Sequence, residues 1–375
     1  MIPQTNIKTY YLRYKQAIDE AIDRTLKSGQ YILGREVTAF EKEFASYTGT
    51  EHCIGTGSGT DALQLALRCL GIGPGDVVAT VSHTAVAPVA AIQLTGATPL
   101  LVDIDPDYYT MDPVCLERAV TAFAKSSAYV EGMRVKAVIP VHLYGHPVDI
   151  HGILAIANQH GLYTVEDCAQ AAGAEIEGRK VGTFGEMAAF SFYPTKNLAA
   201  LGDGGALLTS SRGLAERAYS LREYGWQERV SMLERGMNSR LDEMQAAILR
   251  VRLAGLDNDN AERGKIALFY SKRLKSMGHP DCRQGCRHVY HQYVIRTSLR
   301  DDLKRYLENH GVITAIHYPH PVHLQSAFRA VLFEKGSLRV TETVCREIIS
   351  LPMYIGLTQE DQEQVCCLIE AFATS

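Results

Sequence analysis

Apolar and polar positions fall in blocks along this chain. Short, nearly continuous apolar runs ending in polar residues occupy 77–81, 98–103, 137–141 and 163–167. Stretches with a helical period separate them, for example 153–160. Residues 188–192 and 206–209 read as further strands of the same sheet. Strands that are apolar on both faces and alternate with helices predict an α/β fold, a mostly parallel sheet flanked by helices. Ahead of them, 13–46 reads as helical with a break near Ser28-Gly29-Gln30, and Val37, Phe40, Phe44 and Tyr47 share one face. Beyond Leu241 the pattern changes to a long helix over 242–256 and a second from about 260 into 277. A Gly- and Cys-containing break follows at 278–287. The remainder, 288–375, carries a strand at 290–295 and three helical stretches. We therefore expect a large domain over 1–250 and a smaller α+β domain over 251–375, for which 375 residues suffice.

Charge narrows the classes. A formal net charge of −4 with no basic block gives no electrostatic reason to expect nucleic acid. No apolar run reaches the ~18 residues of a membrane span. Met1-Ile2-Pro3-Gln4-Thr5-Asn6 lacks the charged and apolar regions of a signal peptide, so a cytoplasmic protein without a membrane partner is expected. The nine cysteines are odd in number and scattered, several inside apolar runs, as reduced thiols are. Cys282, Cys286 and His288 are loosely spaced and lack a fourth ligand. Pro319 and Pro321 break any helix that would align His317, His320 and His323. No metal is expected, and the histidine cluster reads as a substrate-lining loop.

Two residues point to a reaction. Asp167 closes the strand at 163–167, and ligands gather at the carboxyl ends of parallel strands. Lys196 follows the next apolar run. A lysine after a Pro-Thr turn is ordinarily a surface residue. Beside an acid at a neighbouring strand end, its amine can condense with an aldehyde, while the acid keeps a pyridinium nitrogen protonated. Those are the two protein groups that pyridoxal 5′-phosphate chemistry needs. Gly55, Gly57 and Gly59 precede a helix from Thr60 to about Leu70, a place where backbone amides and the helix dipole favour a phosphate.

Ser191-Phe192-Tyr193-Pro194-Thr195-Lys196 resembles the lysine motif of the DegT/DnrJ/EryC1/StrS family of pyridoxal-phosphate-dependent sugar aminotransferases. So, in the family's order, do Gly57-Ser58-Gly59-Thr60-Asp61, Val141-His142-Leu143-Tyr144-Gly145, Glu166-Asp167-Cys168-Ala169-Gln170, Gly202-Asp203-Gly204-Gly205 and Asn238-Ser239-Arg240-Leu241-Asp242-Glu243. Tyr31-Ile32-Leu33-Gly34 and His317-Tyr318-Pro319 extend the resemblance over almost the whole chain. It implies the aspartate-aminotransferase-like fold type I with a seven-stranded, mostly parallel sheet, and a homodimer with shared active sites. Lys196 and Asp167 would be catalytic. Gly59, Thr60, Asp61 and Ser191 would hold the cofactor phosphate together with Asn238 from the partner subunit, and Gln170 would bond the phenolic oxygen. The cofactor would pass through pyridoxamine 5′-phosphate, with L-glutamate as amino donor.

The flanking segments most resemble the branch that aminates C3 of dTDP-linked 3-keto-6-deoxyhexoses, for glycan, lipopolysaccharide or secondary-metabolite amino sugars. C4-acting relatives and inosose transaminases share the core motifs. Tyr31, His317, Tyr318, His320 and His323 are the candidate contacts to sugar or nucleotide. A dehydratase of this fold carries histidine in place of the lysine, and a non-catalytic relative would be expected to lose Lys196 or Asp167; both are present. One departure stands out. Most relatives place a ring-stacking aromatic where this chain has Ala85, leaving His83 or a displaced tyrosine to cover the cofactor.

Overall fold

Seven strands build the central sheet: β1 (His52–Thr56), β2 (Asp76–Val81), β3 (Thr98–Val102), β4 (Arg134–Ile139), β5 (Tyr163–Asp167), β6 (Met187–Ser191) and β7 (Gly205–Thr209). The computed structural model describes residues 1–125, 133–227, 231–328, 331–333 and 336–374. The strand order is β1-β7-β6-β5-β4-β2-β3. Only β7 opposes its neighbours; it lies antiparallel to β1 and β6, and the remaining pairings are parallel. The sheet is the mostly parallel one expected, and no helix among the described residues is long and apolar enough to cross a membrane.

Both faces of the sheet are covered. The helix Gly59–Cys69 packs Leu63, Ala66 and Leu67 against Val78, Val165, Ala189 and Leu207. Val138, Ala188, Phe190 and Leu208 face the opposite way, toward Phe40 and Phe44 of the helix Arg35–Thr48. There Phe44 meets Phe190 edge-on, centroids 5.1 Å apart, a favoured geometry for aromatic pairs. A second core gathers Ile266, Ala267, Tyr270, Ile295, Leu303, Val365 and Ile369, and Ile2 from the chain start joins it.

Element edges moved where local chemistry overrode periodicity. β4 begins three residues early and stops at Ile139, because Pro140 brings no N–H to the ladder. The two long helices meet at Gly255: one spans Glu243–Leu253, the next Leu256–Arg273. A division between 250 and 251 thus falls inside a helix. The change of core comes along Leu256–Arg273, with Leu256 in the sheet's core and Ile266, Ala267 and Tyr270 in the second, although Val289, Val294, Val344 and Ile348 return to the sheet's core. The expected strand at 290–295 is Tyr293–Arg296, since residues before it bond to the loop after β4 instead.

Two buried arginines fasten the main chain. Arg252 donates to the carbonyls of Ala199 at 2.7 Å and Asn197 at 3.3 Å. Arg263 donates to those of Tyr290, His291 and Met353, and to the Tyr10 hydroxyl.

Glu243 closes the start of the helix Arg35–Thr48 from a distance. Gly34 at the N-cap has no side chain to accept the free first-turn amides. The buried Glu243 carboxylate accepts from Gly34 and Val37 N–H at 2.7 and 2.8 Å and from Glu36 N–H at 2.9 Å. Its negative charge also suits the positive end of the helix. Glu243→Ala would strand these donors, so we expect a loss of about 2–4 kcal/mol in urea unfolding. Glu243→Gln keeps one acceptor oxygen and should lose less. Equal stability of wild type and Glu243→Ala would refute the cap.

Candidate active site

Alternation along β5 sorts two neighbouring acids to opposite faces of the sheet. Val165 pairs with Met187 and Asp167 with Ala189, all toward the helix Gly59–Cys69; Glu166 pairs with Ala188 on the far side. Ser191 lies two residues beyond Ala189 on β6, so it shares the face of Asp167.

Glu166 has no exposed surface. One oxygen accepts from the N–H groups of Phe184 and Gly185 at 2.7 and 2.9 Å. The other accepts from Gly182 N–H at 2.9 Å and from His142 Nε2 at 3.1 Å. Burial pushes its carboxyl up, yet His142 and these amides outweigh burial and hold it below the usual range. His142 Nδ1 accepts from Val148 N–H at 3.1 Å, so the ring proton sits on Nε2, toward Glu166. His142, Glu166 and Cys168 lie close enough to suggest a metal. Both Glu166 oxygens are already filled by donors, which leaves a cation no vacant lone pairs.

Asp167 is 4% exposed. Burial raises its carboxyl above the usual range, opposed by Ala169 N–H at 3.0 Å and by nearby Lys196 and His142. Lys196 is partly exposed, yet burial brings its amine down to about 8, with Asp167 pulling the other way. Among the described residues no hydrogen bond or ion pair engages that amine. It is therefore available as a nucleophile and as a base.

The start of the helix Gly59–Cys69 supplies an anion cradle. Ser58 caps it through Asp61 N–H at 3.1 Å, while the amides of Gly59 and Thr60 have no acceptor among the described residues. A Cβ on Gly59 would come within 2.7 Å of Ser191 Cβ, so only glycine lets the turn close on Ser191. Two free amides, a neighbouring hydroxyl and the helix dipole suit a phosphate. The buried Asp167 stands on the same face, and the unpaired Lys196 amine lies near it. This donor set fits pyridoxal phosphate. Asp61 departs from expectation: its amide is spent on Ser58 and its carboxylate accepts from Ser239 Oγ at 2.8 Å, so it orients the cradle rather than donating to it.

Gln170 is fixed at both ends of its amide. Oε1 accepts from Tyr144 N–H at 2.7 Å and Nε2 donates to the Tyr318 hydroxyl at 3.1 Å, leaving one N–H over. Tyr318 thereby joins Asp167 and Gln170, its phenol pushed up to about 12, mainly by burial. His317 is near enough for Lys196 to act on it; burial first and then that charge bring its imidazole down to about 4. Its Nδ1 meets Ser350 Oγ at 2.9 Å.

The other sequence candidates lie elsewhere. His323 is a correction: its enclosed ring spends both nitrogens, on Ser82 Oγ at 2.7 Å and Glu342 at 3.3 Å, so it anchors a loop and presents nothing to a ligand. His320 and Tyr31 are exposed, and the Tyr31 hydroxyl turns back to Leu26 O at 3.3 Å. Asn238 is exposed as well, next to Ser239, whose hydroxyl accepts from Gly57 N–H at 2.9 Å. His83 does not cover a ring. It is fully enclosed, takes the Cys345 thiol on Nδ1 at 3.2 Å and bonds the Tyr144 hydroxyl through Nε2 at 2.8 Å. Tyr144 in turn donates to His317 O. The sequence reading missed the roles of Glu166, His142 and Tyr144. Their only local signal is an unpaired acid in an apolar strand, which demands partners from elsewhere.

Comparison with known proteins agrees with this geometry. The sequence profile of the DegT/DnrJ/EryC1/StrS aminotransferase family matches residues 13–370. The chain is 45% identical over 355 residues to a dTDP-3-amino-3,4,6-trideoxy-alpha-D-glucose transaminase of Streptomyces venezuelae, covering 94% of this chain and 91% of that one. It is 39% identical to a UDP-N-acetyl-3-dehydro-alpha-D-glucosamine 3-aminotransferase of Acidithiobacillus ferrooxidans, over 98% and 97% of the two chains. Among solved structures, S. venezuelae DesV superposes with a TM-score of 0.94 at 43% identity, covering 100% and 99% of the chains. NtdA of Bacillus subtilis, solved with bound cofactor PMP, gives 0.87 at 28% identity over 97% and 82%.

The Lys196 environment sets a pH test. In the cofactor-free protein its amine should acylate with a midpoint near 8 rather than at the ordinary lysine value of about 10.4. Competitive labelling with peptide mapping reads this. Asp167 is the influence that raises the midpoint, so Asp167→Asn should move it to lower pH. A wild-type midpoint above 10, or an upward move in the variant, would contradict the geometry.

Proposed function

The chain belongs to the DegT/DnrJ/EryC1/StrS aminotransferase family, and on that premise we propose that it transfers the amino group of L-glutamate to C3 of a dTDP-linked 3-keto-6-deoxyhexose. At the coarser level it is a pyridoxal-phosphate-dependent sugar aminotransferase. The observation that carries the reading is the convergence at one strand edge: the Gly59-Thr60-Ser191 cradle and buried Asp167 share a face of the sheet, and the unpaired Lys196 amine lies near Asp167. Amination at C3 is favoured because the two relatives above carry different nucleotides, and both are named for nitrogen at position 3. The thymidine nucleotide follows the more similar of the pair.

When bound, the cofactor supplies an aldehyde for Lys196 and a conjugated ring that takes up electrons from the donor's Cα. Gly59 and Thr60 amides with the Ser191 hydroxyl would hold its phosphate. Asp167 would keep a positive charge on its ring nitrogen, and the spare Gln170 N–H would serve its phenolic oxygen. Lys196, lowered in pKa, takes the proton from the donor's Cα and later delivers one to the sugar carbon. Tyr318 and His317 border this space, while the exposed Tyr31 and His320 lie away from it. Asn238, exposed in the single chain, completes the phosphate site of a second copy in a two-fold dimer.

Glutamate should convert the bound cofactor to its amino form, and a dTDP-3-keto-6-deoxyhexose should return it. The product should carry nitrogen on C3 by NMR. UDP- and GDP-linked sugars, 4-keto sugars and an inosose serve as competitors in the same assay. Amination at C4, or a marked preference for the inosose, would overturn the substrate assignment and leave the transaminase intact.

Shared sites make a second test. Lys196→Ala and Asn238→Asp should each be nearly inactive alone, the latter because a carboxylate faces a phosphate dianion. Co-expressed, about half the dimers are mixed and each holds one intact site, so roughly a quarter of wild-type activity should return. Purified mixed dimers without activity would exclude a contribution of Asn238 in trans.

A further inference from the structure

The segment before the strand Tyr293–Arg296 is bonded into the active site at three points. Val289 N–H donates to Gly145 O at 3.0 Å, and Gln292 N–H to Tyr144 O at 3.3 Å. Asn197, the residue after Lys196, donates from Nδ2 to Val289 O at 2.9 Å. A Cβ on Gly145 would stand 2.7 Å from Val289 Cγ2 and 3.1 Å from His291 N, so the two backbones meet at a distance only glycine permits. Tyr144 and Gly145 belong to the loop that fixes Gln170. These contacts bring His291 to the Lys196 side of the site.

His291 is 5% exposed, and its Nδ1 is enclosed without a hydrogen-bond partner. Among the described residues neither ring nitrogen is bonded. His142 and His83 spend both nitrogens inside the protein, and His317 spends one on Ser350. Buried polar nitrogens are ordinarily paired, so an unpaired one beside a reacting group calls for a partner that arrives or moves during the reaction. Burial, then Lys196, Arg263 and His317, hold His291 well below the ordinary imidazole range. The ring is therefore neutral and keeps a lone pair at neutral pH.

We infer that His291 is a positioning residue for the transamination: its imidazole accepts a hydrogen bond from the Lys196 amine and holds that amine while it carries protons. The inference rests on Lys196 as the proton carrier. An acceptor bound to the amine favours its charged form. Removing the acceptor should then lower the Lys196 titration in the cofactor-free protein.

Competitive labelling of Lys196 is compared among wild type, His291→Leu, His291→Phe and His291→Asn, each checked by thermal unfolding. His291→Leu should lower the Lys196 midpoint by about half a pH unit or more. It should also cut kcat roughly 10- to 100-fold with little change in KM for the keto sugar, and raise the isotope effect with Cα-deuterated glutamate. His291→Asn retains a carbonyl acceptor and should recover most of the midpoint and part of kcat. If the leucine variant does not fold, His291→Phe fills the same space without an acceptor and is read in its place. An unmoved Lys196 midpoint in a folded variant, or no advantage of asparagine over leucine or phenylalanine, overturns the inference. Borohydride fixation of the cofactor in wild type reports on Lys196 by itself. Fixation elsewhere removes the proton carrier and the inference together, whereas fixation on Lys196 with an unmoved midpoint removes the role of His291 alone.

Discussion

A carboxylate with no solvent must find its donors inside the protein, and the region around the catalytic acid is organised by that requirement at Glu166. Three backbone amides of residues 182–185 and the His142 ring meet it. In doing so they fix the turn before β6, the loop after β4 and the tautomer of His142. Asp167 is the next residue, and the period of the strand turns it to the opposite face. Its position is thus set by a charge behind it that touches no ligand. Loss of one such partner would leave a buried charge uncompensated, and the disturbance would reach Asp167 through one peptide unit.

The fold brings three separate pieces of chain to the face where Asp167 emerges. β6 contributes Ser191 and then Lys196. The helix Gly59–Cys69 contributes its free amides across that face, at glycine distance. The chain beyond the two long helices contributes the 289–292 segment, which bonds to the loop after β4, and Tyr318, which accepts from Gln170. Parallel strands end together at their carboxyl edge, so one architecture aligns an acid, a base and an anion site without long-range coincidence.

Much of this was legible from the sequence, and the boundary of legibility is physical. The strands were readable because a fully buried strand must be apolar along its length. Asp167 and Lys196 stood out as polar residues at the ends of such runs. The cap by Glu243 was not readable, because its donors lie some two hundred positions earlier and neither side is unusual locally. Nor was the fate of His323: in sequence it stands beside His317 and His320, but its loop turns it inward to Ser82 and Glu342. His83 could be named as a ring cover only while its neighbours Tyr144 and Cys345 were out of view. Local pattern reports burial and period; it does not report which distant group answers a buried polar atom.

Arg252 and Arg263 hold the Lys196 loop and the His291 segment by gripping carbonyl oxygens of the main chain. Every amino acid offers the same carbonyl, so the grip does not depend on which side chains surround it. Descendants of this chain can therefore exchange the residues lining the pocket, and with them the sugar accepted, while the reactive lysine stays where it is. The frame that keeps the chemistry constant is indifferent to the part of the sequence that selection would rewrite for a new substrate.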